Sequence, residues 1–316
     1  MLYAGTTLYG FKYSILNDIV KKLKQTSKSA GNILNIVNRT SETIRDEIVV
    51  NKENIKSISN HVPKHVKPLN DEQLGHYLAG LIDGDGHFSK IQQLIIVFSY
   101  VDASLAYYLK NRLGYGNVKK VNNKNASLLI ISKKEGILSI IKLINGKLRT
   151  KHRYNQLVIN VLTSNKYKDL KIDFTINTNE DFNNHWLAGF SDADASFQIK
   201  IVKRNTKIRP EVRLNFQIDQ KNVFLLNTIK NYIGGNIGYR ESQDTYYYGS
   251  TSFGSAKKVI NYFDKYHLQS KKYISYLRWR KVYNLIQAKK HLTYNGLSKI
   301  EKIKVIINCH EQLTTI

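Results

Sequence analysis

One short stretch occurs twice in the chain, in altered form. Residues 78–86 read LAGLIDGDG, and residues 187–195 read LAGFSDADA. Each copy runs an apolar turn into a pair of aspartates and then into an aromatic residue, Phe88 in the first copy and Phe197 in the second. The repetition predicts an internal duplication in which each half brings an acidic cluster to one place.

The chain is strongly basic outside these acidic clusters. Its 316 residues include 49 Lys and Arg against 24 Asp and Glu, a formal net charge of +25. Such a field attracts nucleic acid, and charge alone would fit an RNA-associated protein equally well. The single cysteine, Cys309, excludes disulfides within one chain and thiolate zinc sites. No apolar run reaches the ~18–20 residues of a membrane span, so we expect no membrane partner.

The secondary-structure signals after residue 70 follow one order twice. In each half an apolar helix leads into two strands, a helix that ends at glycine, two more strands and a further helix. This order predicts an α+β fold of two αββαββα repeats with antiparallel sheets. The predicted segments are a basic N-terminal extension over 1–70, a first repeat over 71–164, a polar linker over 165–183, and a second repeat with C-terminal helices over 184–316.

The paired aspartates are harder to explain by packing than the apolar residues before them. Gly80 and Gly189 would let two helix backbones approach closely, but packing does not require acids at the same two positions of each copy. Aspartate is unfavourable inside a helix and costly to bury unpaired. Like charges at neighbouring helix ends call for a cation or a protonation shift. Because hard divalent cations bind carboxylate, backbone and phosphate oxygens, the repeated acids predict metal-assisted chemistry on a polyanion.

The two motifs, their separation and the element order that each one opens resemble those of the LAGLIDADG homing endonucleases, in the single-chain, two-motif form encoded in organellar group I introns. The resemblance covers about residues 71–290. It implies that the two motif helices pack at a central pseudo-symmetric interface and that the sheets form a saddle in the DNA major groove. It also implies a monomer that makes a staggered cut at a long asymmetric double-stranded DNA site by Mg²⁺-dependent phosphodiester hydrolysis, thereby promoting intron homing.

The resemblance assigns the metal ligands residue by residue. In this family the last acid of each motif binds the metal with the carbonyl just before it, which implies Asp85, Asp194 and the carbonyls of Gly84 and Ala193. Mg²⁺ is the expected ion, and Mn²⁺ or Ca²⁺ could substitute in binding. The other two acids, Asp83 and Asp192, are expected to cap and position the helix ends.

The family also places a basic and a polar residue near each metal. Aligning the helical segments that follow each sheet pairs Lys151 with Lys271, and a lysine beside a phosphate can stabilise developing charge. The polar residue of the second half is Gln220, and counting back from the helix-ending glycines gives Tyr100 as its counterpart. We therefore expect two unequal active sites. The second motif departs from the family pattern at Ala195, where the family has glycine.

Base contacts are expected from alternate strand residues, since one face of each sheet would meet DNA. Amide and guanidinium side chains, which make bidentate contacts to bases, alternate with apolar residues in the second half. The predicted contacts there are Ser196, Gln198, Lys200, Arg204, Arg213, Asn215, Gln217 and Arg240. The first half offers fewer polar candidates in a short hairpin, namely His87, Ser89 and Gln93.

Two other functions stay open from the sequence. Proteins of this fold also act as RNA maturases, which assist splicing of their host intron, and the basic charge suits intron RNA as well as DNA. The other possible function is that of a catalytically inactive DNA-binding module. Intact acids in both motifs favour the endonuclease, because a pure maturase often loses one. The abundance of Lys, Asn, Ile and Tyr, whose codons are AT-rich, favours an organellar gene, and we expect a mitochondrial protein.

Overall fold

The described part of the protein, given by a computed structural model, comprises residues 57–203 and 210–314. A compact unit begins at Ile58, well inside the predicted N-terminal extension, of which residues 1–56 lie outside the described part. Residues 58–69 lie on the second repeat: the Ile58 N–H donates to Gln287 Oε1 at 3.0 Å, and the Val66 N–H donates to His267 Nδ1 at 2.8 Å. This segment therefore belongs to the folded unit.

The first repeat carries its elements in the predicted order. It contains α1 (Asp71–Asp85), β1 (Gly86–Phe88), β2 (Leu94–Ser99), α2 (Ala103–Leu113), β3 (Asn117–Lys120), β4 (Ala126–Ile131), α3 (Lys134–Ile144) and α4 (Lys151–Leu157). Asn70 caps α1 by accepting the Gln73 N–H at 2.9 Å, and α2 ends at Gly114, whose φ of 74° favours glycine. The strands form one antiparallel sheet in the order β1-β2-β4-β3.

The second repeat has the same topology with longer strands. It contains α5 (Trp186–Asp194), β5 (Ala195–Val202), β6 (Glu211–Gln220), α6 (Val223–Ile233), β7 (Asn236–Arg240), β8 (Thr245–Gly249), α7 (Phe253–Phe263), α8 (Lys272–Gln287) and α9 (Tyr294–Thr314). The sheet order is β5-β6-β8-β7, which matches the first sheet. The predicted α+β fold of two αββαββα repeats is thus confirmed. No helix of the described residues is long and apolar enough to cross a membrane.

The two motif helices, α1 and α5, cross at their glycines. A Cβ added at Gly80 would overlap the Trp186 carbonyl oxygen, and one added at Gly189 would overlap the Tyr77 carbonyl oxygen and lie 2.9 Å from the Leu81 nitrogen. Only glycine permits this backbone-to-backbone contact. The crossing sets the two helices side by side, so that their terminal acids reach one place.

Each sheet packs one face against its own helices. In the second repeat, aromatic rings fill this core, with Phe197 lying 5.2 Å from Phe216 and 5.7 Å from both Phe263 and Trp279, measured between ring centroids. Aliphatic residues of β2 and β4, such as Ile96, do the same in the first repeat. The residues between these core positions along each strand lie on the opposite face of the sheet.

Ala195 adopts the conformation of Gly86, its counterpart in the first motif. Their φ angles are −93° and −89°, and their ψ angles are 156° and 157°. Neither residue lies in the left-handed region that favours glycine. The alanine therefore leaves the path of the backbone after the second motif unchanged.

Candidate active site

The last residues of helices α1 and α5 are Asp85 and Asp194. A Cβ added at Gly84 would lie 3.2 Å from Asp194 Oδ2, so the second carboxylate lies against the end of the first helix. Burial and, after it, the negative charge of Asp194 raise the pKa of Asp85 to about 7. Burial also raises the pKa of Asp194. Two partly desolvated carboxylates with raised pKa values form a site whose ionised state a bound cation would stabilise.

Asp83 anchors the turn before helix α4. Its carboxylate accepts the Arg149 N–H at 2.7 Å, the Thr150 hydroxyl at 2.5 Å and, from the other repeat, the Trp186 Nε1–H at 2.9 Å. Burial raises the pKa of Asp83 to about 6. Asp83 therefore positions the end of α1, as expected, by tying it to the start of α4 and to the second motif helix.

Asp192 plays the same part in the second repeat. It accepts the Gln269 N–H at 2.7 Å, the Ser270 hydroxyl at 2.5 Å and, from the first repeat, the Tyr77 hydroxyl at 2.7 Å. It positions the end of α5, as expected, by anchoring it to the turn before α8. Since these two turns hold equivalent residues, the internal alignment of the segments is correct.

Two clefts flank the acid pair, and each is built from both repeats. The first cleft, of about 370 Å³, lies between the end of β2 and the start of α8, and its lining includes Asp85 and Lys272. The second, of about 1170 Å³, lies between the end of β6 and the start of α4, and its lining includes Arg153 and Gln220. Asp194 borders both clefts. Each cleft thus joins a strand end of one repeat to a helix start of the other.

One cation in each cleft contacts the carbonyl that precedes a motif acid. Lys272 Nζ donates to the Ala193 carbonyl at 2.5 Å, and Arg153 Nη2 donates to the Gly84 carbonyl at 2.9 Å. The predicted pair, Lys151 and Lys271, lies two residues and one residue earlier in the chain. Both side chains are exposed, and Lys151 also lines the second cleft. Because successive helical residues point about 100° apart, the later residue in each case faces the acids.

Gln220 lies at the end of β6, and its Nε2 donates to Asp194 Oδ2 at 2.7 Å. The sheet registers identify its counterpart. Gly86, the first strand residue of the first repeat, pairs with Ile96, and Ala195, its equivalent in the second repeat, pairs with Ile218. Ile96 is therefore equivalent to Ile218, and two residues later Phe98 is equivalent to Gln220. The predicted counterpart, Tyr100, is wrong because the short 3₁₀ turn after β2 adds two residues to the first repeat.

Asp102 is a further acid of the first cleft, and the sequence did not single it out. It is buried, and its Oδ1 accepts the Lys271 backbone N–H at 2.6 Å, at the start of α8. The equivalent helix-start residue of the second repeat, Asn222, instead caps its own helix by accepting the Phe224 N–H at 2.9 Å. The first cleft therefore carries more negative charge and no amide at the Gln220 position, so the two clefts are chemically unequal.

The donor atoms fit a hard divalent cation. Asp85, Asp194 and the carbonyls of Gly84 and Ala193 offer oxygen atoms only, at the ends of two helices whose dipoles add negative potential. In this structure the two carbonyls accept hydrogen bonds from Arg153 and Lys272, so a bound cation would share them with these side chains. Mg²⁺ is commonly held by one or two carboxylates together with substrate phosphates. Within residues 57–203 and 210–314, no group of three or more His, Cys, Asp or Glu side chains stands together as a metal site.

The predicted DNA contacts of the second repeat share one face of its sheet. Ser196, Gln198 and Lys200 on β5 lie opposite three predicted residues of β6, which are Gln217, Asn215 and Arg213. Lys200 is exposed. On β7, Arg240 reaches the same face, where its Nη1 donates to Asp219 Oδ2 at 2.9 Å. Arg204 lies outside the described residues.

The middle of this face is an amide network with little exposed surface. Asn215 Nδ2 donates to Gln198 Oε1 and to Gln217 Oε1, each at 3.2 Å. The exposed fractions of Asn215 and Gln217 are only 3% and 8%, because both lie on a central strand between long neighbours. Of the predicted contacts on this face, Gln198 and Lys200 on the edge strand are more exposed than Asn215 and Gln217.

The polar candidates of the first repeat lie at one edge of its sheet. His87 is on β1, on the face away from the core. Ser89 and Gln93 form the tight turn after it, where the Gln93 N–H donates to Ser89 Oγ at 3.2 Å. The expectation of a short hairpin is correct, since β1 has three residues.

The raised pKa of Asp85 predicts a pH-dependent stability in the absence of divalent ions. Its folded pKa of about 7 lies above the ordinary value of 3.8, so its contribution is complete at acid pH and lost as pH rises through about 7. The melting temperature of Asp85→Asn should therefore rise relative to wild type between pH 5 and pH 8, measured in EDTA. A difference in melting temperature between variant and wild type that stays constant over this range would contradict the burial of the ionised Asp85 carboxylate.

Comparisons with known proteins agree with this architecture. A family model described as LAGLIDADG endonuclease matches residues 187–283. The "Uncharacterized cox1 intron-2 37.2 kDa protein" of Schizosaccharomyces pombe is 60% identical, over 96% of this chain and 95% of its own length. The meganuclease I-SmaMI, solved bound to uncleaved DNA in the presence of calcium ions, is 25% identical with a TM-score of 0.59, over 76% of this chain and 99% of its own.

Two relatives from Saccharomyces cerevisiae are longer than the matched region. The intron-encoded DNA endonuclease aI3 is 32% identical, and the match covers 69% of this chain and 65% of that protein. The intron-encoded RNA maturase bI4 is 27% identical, and the match covers 75% of this chain and 37% of that protein. With its duplicated motif, its repeated fold and these similarities, the chain belongs to the LAGLIDADG homing endonuclease family, in the single-chain form with two motifs.

Proposed function

We propose that the protein is a sequence-specific double-strand DNA endonuclease that makes a staggered cut at a long asymmetric site by Mg²⁺-dependent hydrolysis, and so promotes homing of its intron. One observation carries this proposal. Asp85 and Asp194 meet between two clefts, and each cleft holds a cation beside a motif carbonyl. That arrangement offers one phosphate-binding position for each strand.

Different residues of the chain would bind the metal, orient the water and stabilise the phosphate charge during hydrolysis. Asp85 and Asp194, with the Gly84 and Ala193 carbonyls, would hold Mg²⁺, which when bound supplies electrophilic stabilisation of the scissile phosphate. In the second cleft the Gln220 amide, oriented by its hydrogen bond to Asp194, can accept a hydrogen bond from an attacking water. Lys272 and Arg153 lie where charge develops on the phosphate oxygens.

The expected partner is double-stranded DNA, and one chain suffices to cut it. The residues that line the two clefts lie between Leu81 and Ser275 of one chain, so a monomer would contain the groups of both sites. The positive charge of the chain would attract the DNA backbone. Similarity to proteins of fungal cox1 introns supports a mitochondrial origin.

Replacing the cleft cations tests the reassigned residues against the predicted ones. Arg153→Ala is expected to slow cleavage of one strand by about 10²-fold or more, as for other single electrostatic groups at a reacting centre. Lys151→Ala, two residues earlier and on the lining of the same cleft, should change the rate less than about threefold, because its side chain is exposed. The measurement uses a DNA duplex of the joined exons that flank the intron, with each strand labelled separately. Equal cleavage rates for the two variants would contradict the assignment of the catalytic role to Arg153 rather than Lys151.

Maturase activity is the second candidate function, and the similarity to an RNA maturase favours it together with the positive charge. Splicing of the host intron would be measured with and without protein, alongside DNA cleavage with Mg²⁺. Accelerated splicing without cleavage would replace the endonuclease proposal by the maturase. Tight DNA binding without either activity would identify an inactive DNA-binding module.

A further inference from the structure

The outward faces of the two sheets differ in chemistry at equivalent positions. The registers that match Ile96 with Ile218 also match Ile95 with Gln217 and Val97 with Asp219. In the second repeat these positions carry hydrogen-bonding groups. In the first repeat they carry β-branched hydrocarbon.

The apolar positions of the first sheet form one continuous patch. Ile95 pairs with Ile130, and Val97 pairs with Leu128, on the two central strands β2 and β4. All four side chains are partly exposed, while the residues between them along each strand are buried in the core. A partly exposed apolar patch framed by polar residues is a candidate interaction site.

Polar and basic side chains frame the patch. His87 lies beside Ile95 on the edge strand β1, and Asn117 and Lys119 lie beside Ile130 and Leu128 on β3. Lys119 and its neighbour Lys120 are exposed. An apolar centre with cations along one edge matches a ligand that has apolar groups beside a line of phosphates.

The major groove of DNA offers one such apolar group. The thymine C5-methyl stands on the groove wall, whereas the other features of base edges there are hydrogen-bond donors and acceptors. Aliphatic side chains cannot satisfy those donors and acceptors and would leave them unpaired. Ile95, Val97, Leu128 and Ile130 would therefore favour base pairs that present methyl groups.

We propose that the first repeat reads a thymine-rich half-site through methyl contacts with this patch, while the second repeat reads its half-site through hydrogen bonds. This inference rests on the proposed DNA-binding function, because it takes the equivalent faces of both sheets as one continuous interface. A second copy of the chain or an apolar protein segment is the competing occupant. Sensitivity to the methyl group itself separates these cases.

The test replaces thymidine by deoxyuridine, which removes only the C5-methyl group. Duplexes of the joined exons are made with deoxyuridine in one half-site or in the other, and binding of the full chain is measured in Ca²⁺. Each buried methyl is worth roughly fourfold in affinity. Deoxyuridine under the first repeat should therefore weaken binding roughly tenfold or more, and deoxyuridine under the second repeat less than about twofold.

The half-site under each repeat is assigned independently of affinity. An iron chelate attached at Lys119→Cys, in a Cys309→Ser background, would cut the DNA that lies beside the first sheet. Equal effects of deoxyuridine in both half-sites, or none, would overturn the inference. Self-association that requires the patch, seen by sedimentation, would also overturn it and assign the surface to a second copy.

A variant of the patch adds a second measurement. Ile95→Asn should lower selection of thymine from a randomised first half-site and leave the second half-site unchanged. Since the deoxyuridine experiment uses wild-type protein, a folding defect in this variant would not remove the test. Methyl-dependent binding without any cleavage would uphold this inference while rejecting the nuclease function, so the two proposals fail separately.

Discussion

Asp194→Asn is expected to lower cleavage of both strands by about 10³-fold or more, equivalent to about 4 kcal/mol in the barrier. Asp194 borders both clefts and lies against the end of the first motif helix, so removal of its charge affects the metal position of each strand. DNA binding should stay within a few-fold of wild type, because the reading faces of the sheets are untouched.

The variant is also expected to fold. Asparagine keeps the shape of the side chain and an oxygen that can accept from Gln220, and loss of a buried charge relieves its repulsion of Asp85. Asp169→Asn, at an exposed position in the linker, is the matched control and should cut at the wild-type rate. Wild-type cleavage by Asp194→Asn would show that this carboxylate is no metal ligand.

Gly189→Ala is expected to destabilise the protein by about 3 kcal/mol or more, at the upper end of the effect of overpacking. The added Cβ would overlap the backbone carbonyl of Tyr77, and a carbonyl inside helix α1 cannot move aside as a flexible side chain can. For a chain of this size the melting temperature should fall by roughly 10 °C, or the variant should be insoluble.

Gly254→Ala provides the control for intrinsic helix preference. Gly254 lies in helix α7, and nothing lies within 4 Å of a Cβ added there. Because alanine favours the helix over glycine by about 1 kcal/mol, this variant should melt at or slightly above the wild-type temperature. Similar melting temperatures for the two variants would contradict the close crossing of the motif helices.

Local signals made the fold predictable. Each repeat carries the predicted order of helices and strands, and the helix after its second strand ends at a glycine, Gly114 in the first repeat and Gly234 in the second. The repeated motif fixed the equivalence of the two halves without any long-range information. These features depend on residues that are close in sequence, where periodicity and capping rules apply.

Long-range contacts decided what the sequence could not predict. Lys272 contacts the Ala193 carbonyl because the turn before it is anchored to Asp192, and the sequence alone did not distinguish it from Lys271. Phe98 replaces Tyr100 as the counterpart of Gln220 because register is set by pairing between strands. Both differences arise from how distant segments meet.

The outward faces of the two sheets also depend on long-range contacts that the sequence could not predict. Alternation in β6 separated a polar from an apolar face, but not the burial of Asn215 by neighbouring strands. In β2 the run LIIVFS is apolar almost throughout, so no alternation indicated which face meets the core. Pairing with β4 shows that Ile95 and Val97 lie on the outward face.

The central claim is that one chain cuts both strands of DNA with the acid pair at its helix crossing. The most direct measurement is strand-specific cleavage of the joined-exon duplex by purified protein in Mg²⁺, with Asp85→Asn and Asp194→Asn in parallel. We predict a fixed, staggered cut in both strands by wild type and none by either variant. Intact strands under conditions where wild type binds the duplex, or cutting at the wild-type rate by either variant, would contradict the claim.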